Sequence, residues 1–318
     1  LRSTEVFGME CSRIWSKLRR ALVLIAGASA ILALGSCDDT IDPFVESDRL
    51  FSVFGSLDMN ADTQYVRVIP IGTTLEVDET GQIDAGVAST DLNTGVMTVW
   101  TDSLFTFRDG SVGHVFYAPL RIQPSHTYLL EFSRSDGRSA TAETTVPPVP
   151  AATIEAPRTL FLSGGGAEVT QNVVWGGVDR DPAFVQMWYR FSGSPRSSFT
   201  DVRFDYPTSD QSPTEDGWTI VAQLSNDRDR IAEDLRPESV LFLGIGMRLV
   251  LFDDKFVPPG GAFDPDILAQ PGTFSNVENG FGFVGSVARF DVEWVLDSET
   301  AAALGFVLPK TIDAEQPG

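Results

Sequence analysis

The sequence predicts a mainly β protein: two β-sandwich-like domains, the first immunoglobulin-like, with few short helices. Three observations carry this. Short runs rich in Val, Ile, Phe and Tyr recur between turn residues. Several of them alternate apolar and polar side chains with period two. A proline cluster, Val146-Pro147-Pro148-Val149-Pro150, divides the chain. A strand points successive side chains to opposite faces, so period two marks a half-buried strand. Many short strands separated by turns mark a sandwich rather than a βαβ fold.

The first domain spans 49–147. Residues 50–57 and 64–71 open it as strands, and 95–101, 114–120 and 127–133 follow. In the last of these, Tyr128, Leu130 and Phe132 alternate with Leu129, Glu131 and Ser133. Asp136-Gly137 is a hairpin-turn pair leading into a strand over 139–146. Prolines then favour an extended, stiff connection. The second domain, 151–318, holds strands over 158–162, 169–175, 184–191, 218–224 and 239–251, with Gly164-Gly165-Gly166 as a turn. Residues 226–235 read as a helix with Asn226 as N-cap and Ile231 and Leu235 facing inward. Residues 281–296 read as a hairpin or one bent strand, and 297–304 as a short helix stopped by Gly305. No internal repeat is visible.

Ahead of these domains lies a leader, 1–36. Lys17, Arg19 and Arg20 form a basic cluster, and 21–34 is an uncharged apolar run of 14 residues. A membrane-spanning helix needs about 20, so the order of basic region, apolar core and small residues is that of a secretory signal. Its end, Leu34-Gly35-Ser36-Cys37, resembles a lipobox. Small side chains at Gly35 and Ser36 admit the peptidase, and the Cys37 thiol carries diacylglycerol once the leader is cut. One acyl chain binds a membrane marginally, whereas two or more hold it stably. An acidic tether over 37–48 follows, beginning Cys37-Asp38-Asp39.

The chain carries 23 Lys plus Arg against 44 Asp plus Glu, a net charge of −21. The leader holds five of the bases and two of the acids, so cleavage moves the charge to about −24. Nucleic acid is excluded as a partner, because phosphate binding needs clustered positive charge. Only Lys255 and Lys310 follow Cys37 as lysines. Acid excess with lysine depletion is the surface chemistry of a protein from a saline habitat. With Cys11 in the leader and Cys37 acylated, no thiol is left for a disulfide, a zinc site or a nucleophile.

The motifs that carry chemistry are weak. Gly280-Phe281-Gly282-Phe283-Val284-Gly285 spells the dinucleotide fingerprint, but that motif works only where a strand turns into a helix. Here it opens a strand, where glycines mark bulges or close backbone approach. His114 and His126 are the two histidines, and no elbow serine accompanies them. Carboxylates cluster at Asp179 and Asp181, at Asp227, Asp229, Glu233 and Asp234, at Asp253 and Asp254, and at Asp264 and Asp266. None matches a calcium-binding loop, and each reads as solvated acidic surface. In 184–191 alternation puts Val185, Met187, Tyr189 and Phe191 on a core face. It puts Gln186, Trp188 and Arg190 together on the other, a candidate patch for sugar stacking or protein contact.

Three stretches carry a family resemblance. They are Leu50-Phe51-Ser52-Val53-Phe54-Gly55-Ser56-Leu57; Pro124-Ser125-His126-Thr127-Tyr128-Leu129-Leu130-Glu131 running on to Ala142-Glu143-Thr144-Thr145-Val146-Pro147; and Phe274-Ser275-Asn276-Val277-Glu278-Asn279-Gly280-Phe281-Gly282-Phe283-Val284-Gly285. Together they make the mature chain similar to the bacterial lipoproteins of domain-of-unknown-function family 4249. The resemblance implies an outer-membrane lipoprotein, periplasmic or at the cell surface, encoded near TonB-dependent receptors; no catalytic residues carry over. The expectation is therefore a lipid-anchored envelope protein, not an enzyme and without a cofactor. Its role is binding, as an accessory to such a receptor. The alternatives are a carbohydrate-binding or carbohydrate-active protein using paired carboxylates, and a structural or adhesive envelope component.

Overall fold

A computed structural model describes residues 48–71, 81–108, 110–161, 163, 167–192, 198–255 and 275–309. The leader, Leu34 to Cys37, the tether up to residue 47, Gly164 to Gly166, Asp264, Asp266 and Phe274 lie outside the described residues. Residues Asp48–Gly318 form one unit. The protein is mainly β and of sandwich type, as the sequence predicts.

The strands of the first half are β1 (Phe51–Asp58), β2 (Gln64–Pro70), β3 (Gly86–Asp91), β4 (Met97–Val99), β5 (Thr101–Thr106), β6 (Val112–Ala118), β7 (Thr127–Ser133) and β8 (Ser139–Thr145). The second half adds β9 (Ala151–Ile154), β10 (Arg158–Phe161), β11 (Ala167–Gly176), β12 (Phe184–Ser192), β13 (Phe199–Asp205), β14 (Gln211–Thr214), β15 (Gly217–Ala222), β16 (Phe242–Phe252), β17 (Val277–Glu278) and β18 (Gly280–Trp294). Helix α1 is Leu224–Asp234 and α2 is Ser298–Ala303.

One eight-stranded sheet runs β13-β12-β16-β18-β1-β2-β6-β5 and serves both halves. A sheet ordered β17-β8-β7-β3-β4 covers its N-terminal part, and one built from β9, β10, β11, β14 and β15 belongs to the C-terminal part. Each pairing encloses its own core. In the first, Phe51, Val53, Leu57, Val66, Val68 and Phe116 meet Val87, Tyr128, Leu130, Phe132 and Ala140. In the second, Val185, Met187, Tyr189, Phe191, Ile245, Met247 and Leu249 meet Val173, Trp175, Ile220 and Ile231. Burying each such large side chain stabilises by about 1.5–3 kcal/mol. The expected boundary at 146–150 thus separates two cores but not the sheet.

The joint is β18. Its first half pairs parallel to β1, from Phe51 with Gly280 to Asp58 with Val287. Its second half pairs antiparallel to β16, from Phe252 with Val287 to Ile245 with Trp294. The two readings of 281–296 resolve as one long strand rather than a hairpin. Val277 and Val284, from the far end of the chain, complete the first core.

Other expectations shift for physical reasons. The strand expected over 95–101 is two strands in two sheets. Trp100 is the crossing point: its ring is buried, its Nε1 donates to Ser89 Oγ at 2.9 Å, and its amide donates to the Val87 carbonyl. Helix α1 starts two residues earlier than expected and Asn226 is not its cap; the cap position is Gln223, with no side-chain cap bond. Burial of Leu224 and the bond from the Val169 amide to Ser225 Oγ fix that start instead. Strands β3, β9, β13 and β14 were not expected. Helix α2 ends just before Gly305 (φ 73°) as expected, while Asp297, expected within it, is its N-cap, with Oδ1 accepting from the Thr300 amide at 2.8 Å.

Candidate functional site

The predicted patch does assemble. Gln186, Trp188 and Arg190 lie on the outward face of β12, opposite Arg248, Gly246 and Gly244 of β16. A groove of about 150 Å³ lies beside Trp188, bounded by Arg190, Leu243, Glu293 and Val295. Leu243 reaches it because a register shift between Arg190 and Phe191 sets both Phe242 and Ile245 inward. Yet each member of the patch is already engaged. Trp188 is only 7% exposed. It packs against Gly246, where an added Cβ would come within 2.2 Å of its ring. Arg190 donates to Asp201 at 2.8 Å and to Glu293 at 3.3 Å, and stacks on Phe199 at 4.6 Å. Gln186 donates to Asp205 at 2.9 Å. A sugar needs an open ring face, and the self-paired charges of this surface leave Trp188 little.

A larger cleft of about 550 Å³ went unread in the sequence. Pro148 of the proline connection, Val178 and Asp179 after β11, and the β14–β15 turn with Glu215, Asp216 and Trp218 line it. A second recess of about 160 Å³ shares Pro148, Val178 and Asp179 and continues to Ser125, Thr145 and Phe252. Ser125 holds a left-handed backbone, φ 62°, there, a conformation uncommon outside glycine. Three carboxylates line this cleft beside Trp218, which is half-buried against the C-terminal core, and they can accept hydrogen bonds from hydroxyls. No short motif marks the cleft, because three separate connections build it.

Both histidines hold loops. His114 is buried, with Nδ1 2.8 Å from Asp102 Oδ2 and Nε2 2.8 Å from the Gly81 carbonyl oxygen. His126 Nδ1 donates to Asp91 Oδ2 at 2.9 Å. Burial pushes the Asp91 carboxyl up, but hydrogen bonds from His126, Thr94 and Asn93 outweigh it and hold it below its ordinary value. Among the described residues no three His, Cys, Asp or Glu side chains converge as metal ligands.

Two of the carboxylates read as solvated surface are instead buried. Asp253 accepts from Thr144 Oγ1, tying the start of the β16–β17 connection to β8. Asp227 is 2% exposed and accepts from the hydroxyls of Tyr189, at 2.8 Å, and Tyr206. Burial raises the Asp227 carboxyl above its usual range, although both hydroxyl bonds and nearby Arg230 act the other way. Tyr206 also accepts from the Gln223 amide at 2.9 Å, so the network anchors the start of α1. The signal missed was helical spacing: Leu224, Asp227 and Ile231 share one buried face.

The glycines of the fingerprint serve packing. Gly282 has φ 99°, and an added Cβ would lie 2.0 Å from the Val53 carbonyl oxygen of β1. The motif runs along a strand with β1 pressed against it, and the strand continues to Trp294 instead of turning into a helix. Scanning this chain against protein-family models and searching the curated proteins each gave no match.

Proposed function

We propose that this protein is a lipid-anchored, non-catalytic binding module of the bacterial outer membrane, acting beside a TonB-dependent receptor. The observation that carries the reading is the ordered leader ending in Leu34-Gly35-Ser36-Cys37, with the folded unit starting at Asp48. Ten residues separate Cys37 from that unit, a reach of at most about 40 Å. The two sandwiches are held at the bilayer, and a tether this short favours partners embedded in it. The family resemblance supports the receptor as partner. With a net charge of −21, the lipid and not surface charge must do the anchoring.

Cys37→Ala is expected to abolish incorporation of labelled palmitate and to move the protein out of the membrane fraction. Palmitate in Cys37→Ala at the wild-type level would refute the anchor. Retrieval of the native lipoprotein in mild detergent is expected to bring a receptor barrel with it.

The cleft supports a second reading, carbohydrate binding, because Trp218 and the acids Asp179, Glu215 and Asp216 surround one recess. On that reading Trp218→Ala lowers affinity on a glycan array by about tenfold, the loss of roughly one stacking contact. An array with no bound glycan would dismiss it.

A further inference from the structure

The shared sheet turns two unlike outer faces to solvent. On its C-terminal part the outward charges are paired with one another: Arg190 with Asp201 and Glu293, Arg248 with Asp291. On its N-terminal part four outward side chains, Phe54, Tyr65, Phe105 and Tyr117, are aromatic. The register sets Phe54, Arg67, Val115 and Ser103 in one row across β1, β2, β6 and β5. Tyr65, Tyr117 and Thr101 form the next row, and Phe105 stands opposite Gly113. Phe54, Tyr65 and Phe105 are 47%, 56% and 53% exposed. No carboxylate occupies these rows, in a chain that carries 44.

Arg67 is the one cation among them. Its guanidinium stacks on Phe107 at 4.6 Å, and Gly113 makes room for that stack. Its Nε is buried and, among the described residues, meets no hydrogen-bond acceptor. Among the described residues it forms no ion pair, while sixteen such pairs engage other side chains. With Nε buried, an incoming acceptor meets the two terminal nitrogens of the guanidinium. A planar guanidinium fits a carboxylate through two parallel bonds.

We propose that this face docks an acidic segment of a partner protein. A partner Asp or Glu closes on Arg67, and apolar neighbours pack on Phe54, Tyr65 and Phe105. Exposed aromatic side chains around one arginine are the composition of a protein-binding hot spot. An anionic bilayer is disfavoured, because its extended surface would meet the whole net charge of −21 at once, whereas a short acidic segment meets Arg67 locally with charges beyond about 8–10 Å screened. A second copy is disfavoured too, since it would present the same arginine to itself across a two-fold axis. The proposal rests on the binding role given above but not on the acyl chain, so acylation can fail while docking stands, and the reverse.

The test is fluorescence anisotropy with the mature protein in mild detergent. The probe is a labelled, end-blocked octapeptide alternating Asp and Phe, and its twin has Asn for Asp. The Asp peptide is expected to bind at least about tenfold more tightly than the Asn peptide. Arg67→Gln should remove that preference, Arg67→Lys should keep part of it, and Tyr65→Ser should weaken both peptides. Thermal melts of the variants confirm that each is folded, and Arg67→Lys serves if Arg67→Gln is not. Equal affinity for the two peptides would overturn the proposal, as would a preference that survives in Arg67→Gln. So would the absence of binding at roughly 1 mM peptide. Self-association, or phosphatidylglycerol-vesicle binding, that disappears in Arg67→Gln would also overturn it, by assigning the face to a second copy or to lipid.

Discussion

Gly282→Ala is expected to lose roughly 2–6 kcal/mol of stability, combining about 1–3 from backbone strain and about 1–3 from overpacking. The reason lies at the joint between the two cores. Gly282 holds φ 99°, which L side chains rarely adopt, and its missing Cβ leaves room for the Val53 carbonyl 2.0 Å away. The obstacle is backbone of a paired strand, so relief would require β1 and β18 to part. Those strands hold the shared sheet together and supply Phe51, Val53 and Val284 to the first core. Single domains are stable by only about 5–15 kcal/mol, so the variant should express poorly or unfold well below the wild-type urea midpoint. Gly285→Ala is a milder control, since the nearest obstacle is the Phe283 ring, a side chain that can turn.

Asp227→Ala is expected to lose about 2–4 kcal/mol, measured by chemical denaturation. Two buried phenols lose their common acceptor, and an unsatisfied buried donor costs about 1–3 kcal/mol each. Removing a buried charge returns part of that. Burial first, then the nearby charge of Asp227, holds the Tyr206 phenol well above its ordinary value, so it remains an O–H donor. Tyr189 behaves alike, with burial leading.

Asp227→Asn separates charge from shape, and its pH dependence has a definite sign. The folded carboxyl titrates above its unfolded value of 3.8. Between those two points the folded protein holds a proton that the unfolded chain has released. Stability from this group therefore falls as pH rises through that window, and is greatest below it. The asparagine carries no such penalty. Relative to wild type, Asp227→Asn should look worst below pH 3.8 and improve as pH rises toward neutrality. A gap that widens with pH would contradict the burial argument.

How far the sequence anticipates this fold depends on whether an element is placed by its own pattern or by distant neighbours. Alternation places β7 and β12: Tyr128, Leu130 and Phe132, then Val185, Met187, Tyr189 and Phe191, all point into a core. Strand β13 has no such pattern, since Phe204 is its single buried apolar side chain. Pairing fixes it, with Arg190 reaching across to Asp201. The shared sheet is likewise invisible from local pattern, because it depends on parallel pairing between strands at opposite ends of the chain.

The site divides the same way. Alternation alone sets Gln186, Trp188 and Arg190 side by side. What occupies them comes from three other strands, through Gly246, Asp201 and Glu293. Asp227 was hidden among ordinary surface acids because the two tyrosines that bury it arrive from β12 and the segment after β13. Arg67 was hidden for the opposite reason: its lack of an ion-pair partner among the described residues depends on every neighbour around it and not on its own pattern.

The proposed placement beside a receptor depends on the proposed membrane anchorage through Cys37. Mass spectrometry of the N-terminal peptide of the mature protein tests it most directly. The account predicts a peptide beginning at Cys37, its sulfur carrying diacylglycerol and its amine an acyl chain. A mature protein that begins elsewhere, or an unmodified Cys37, would contradict it.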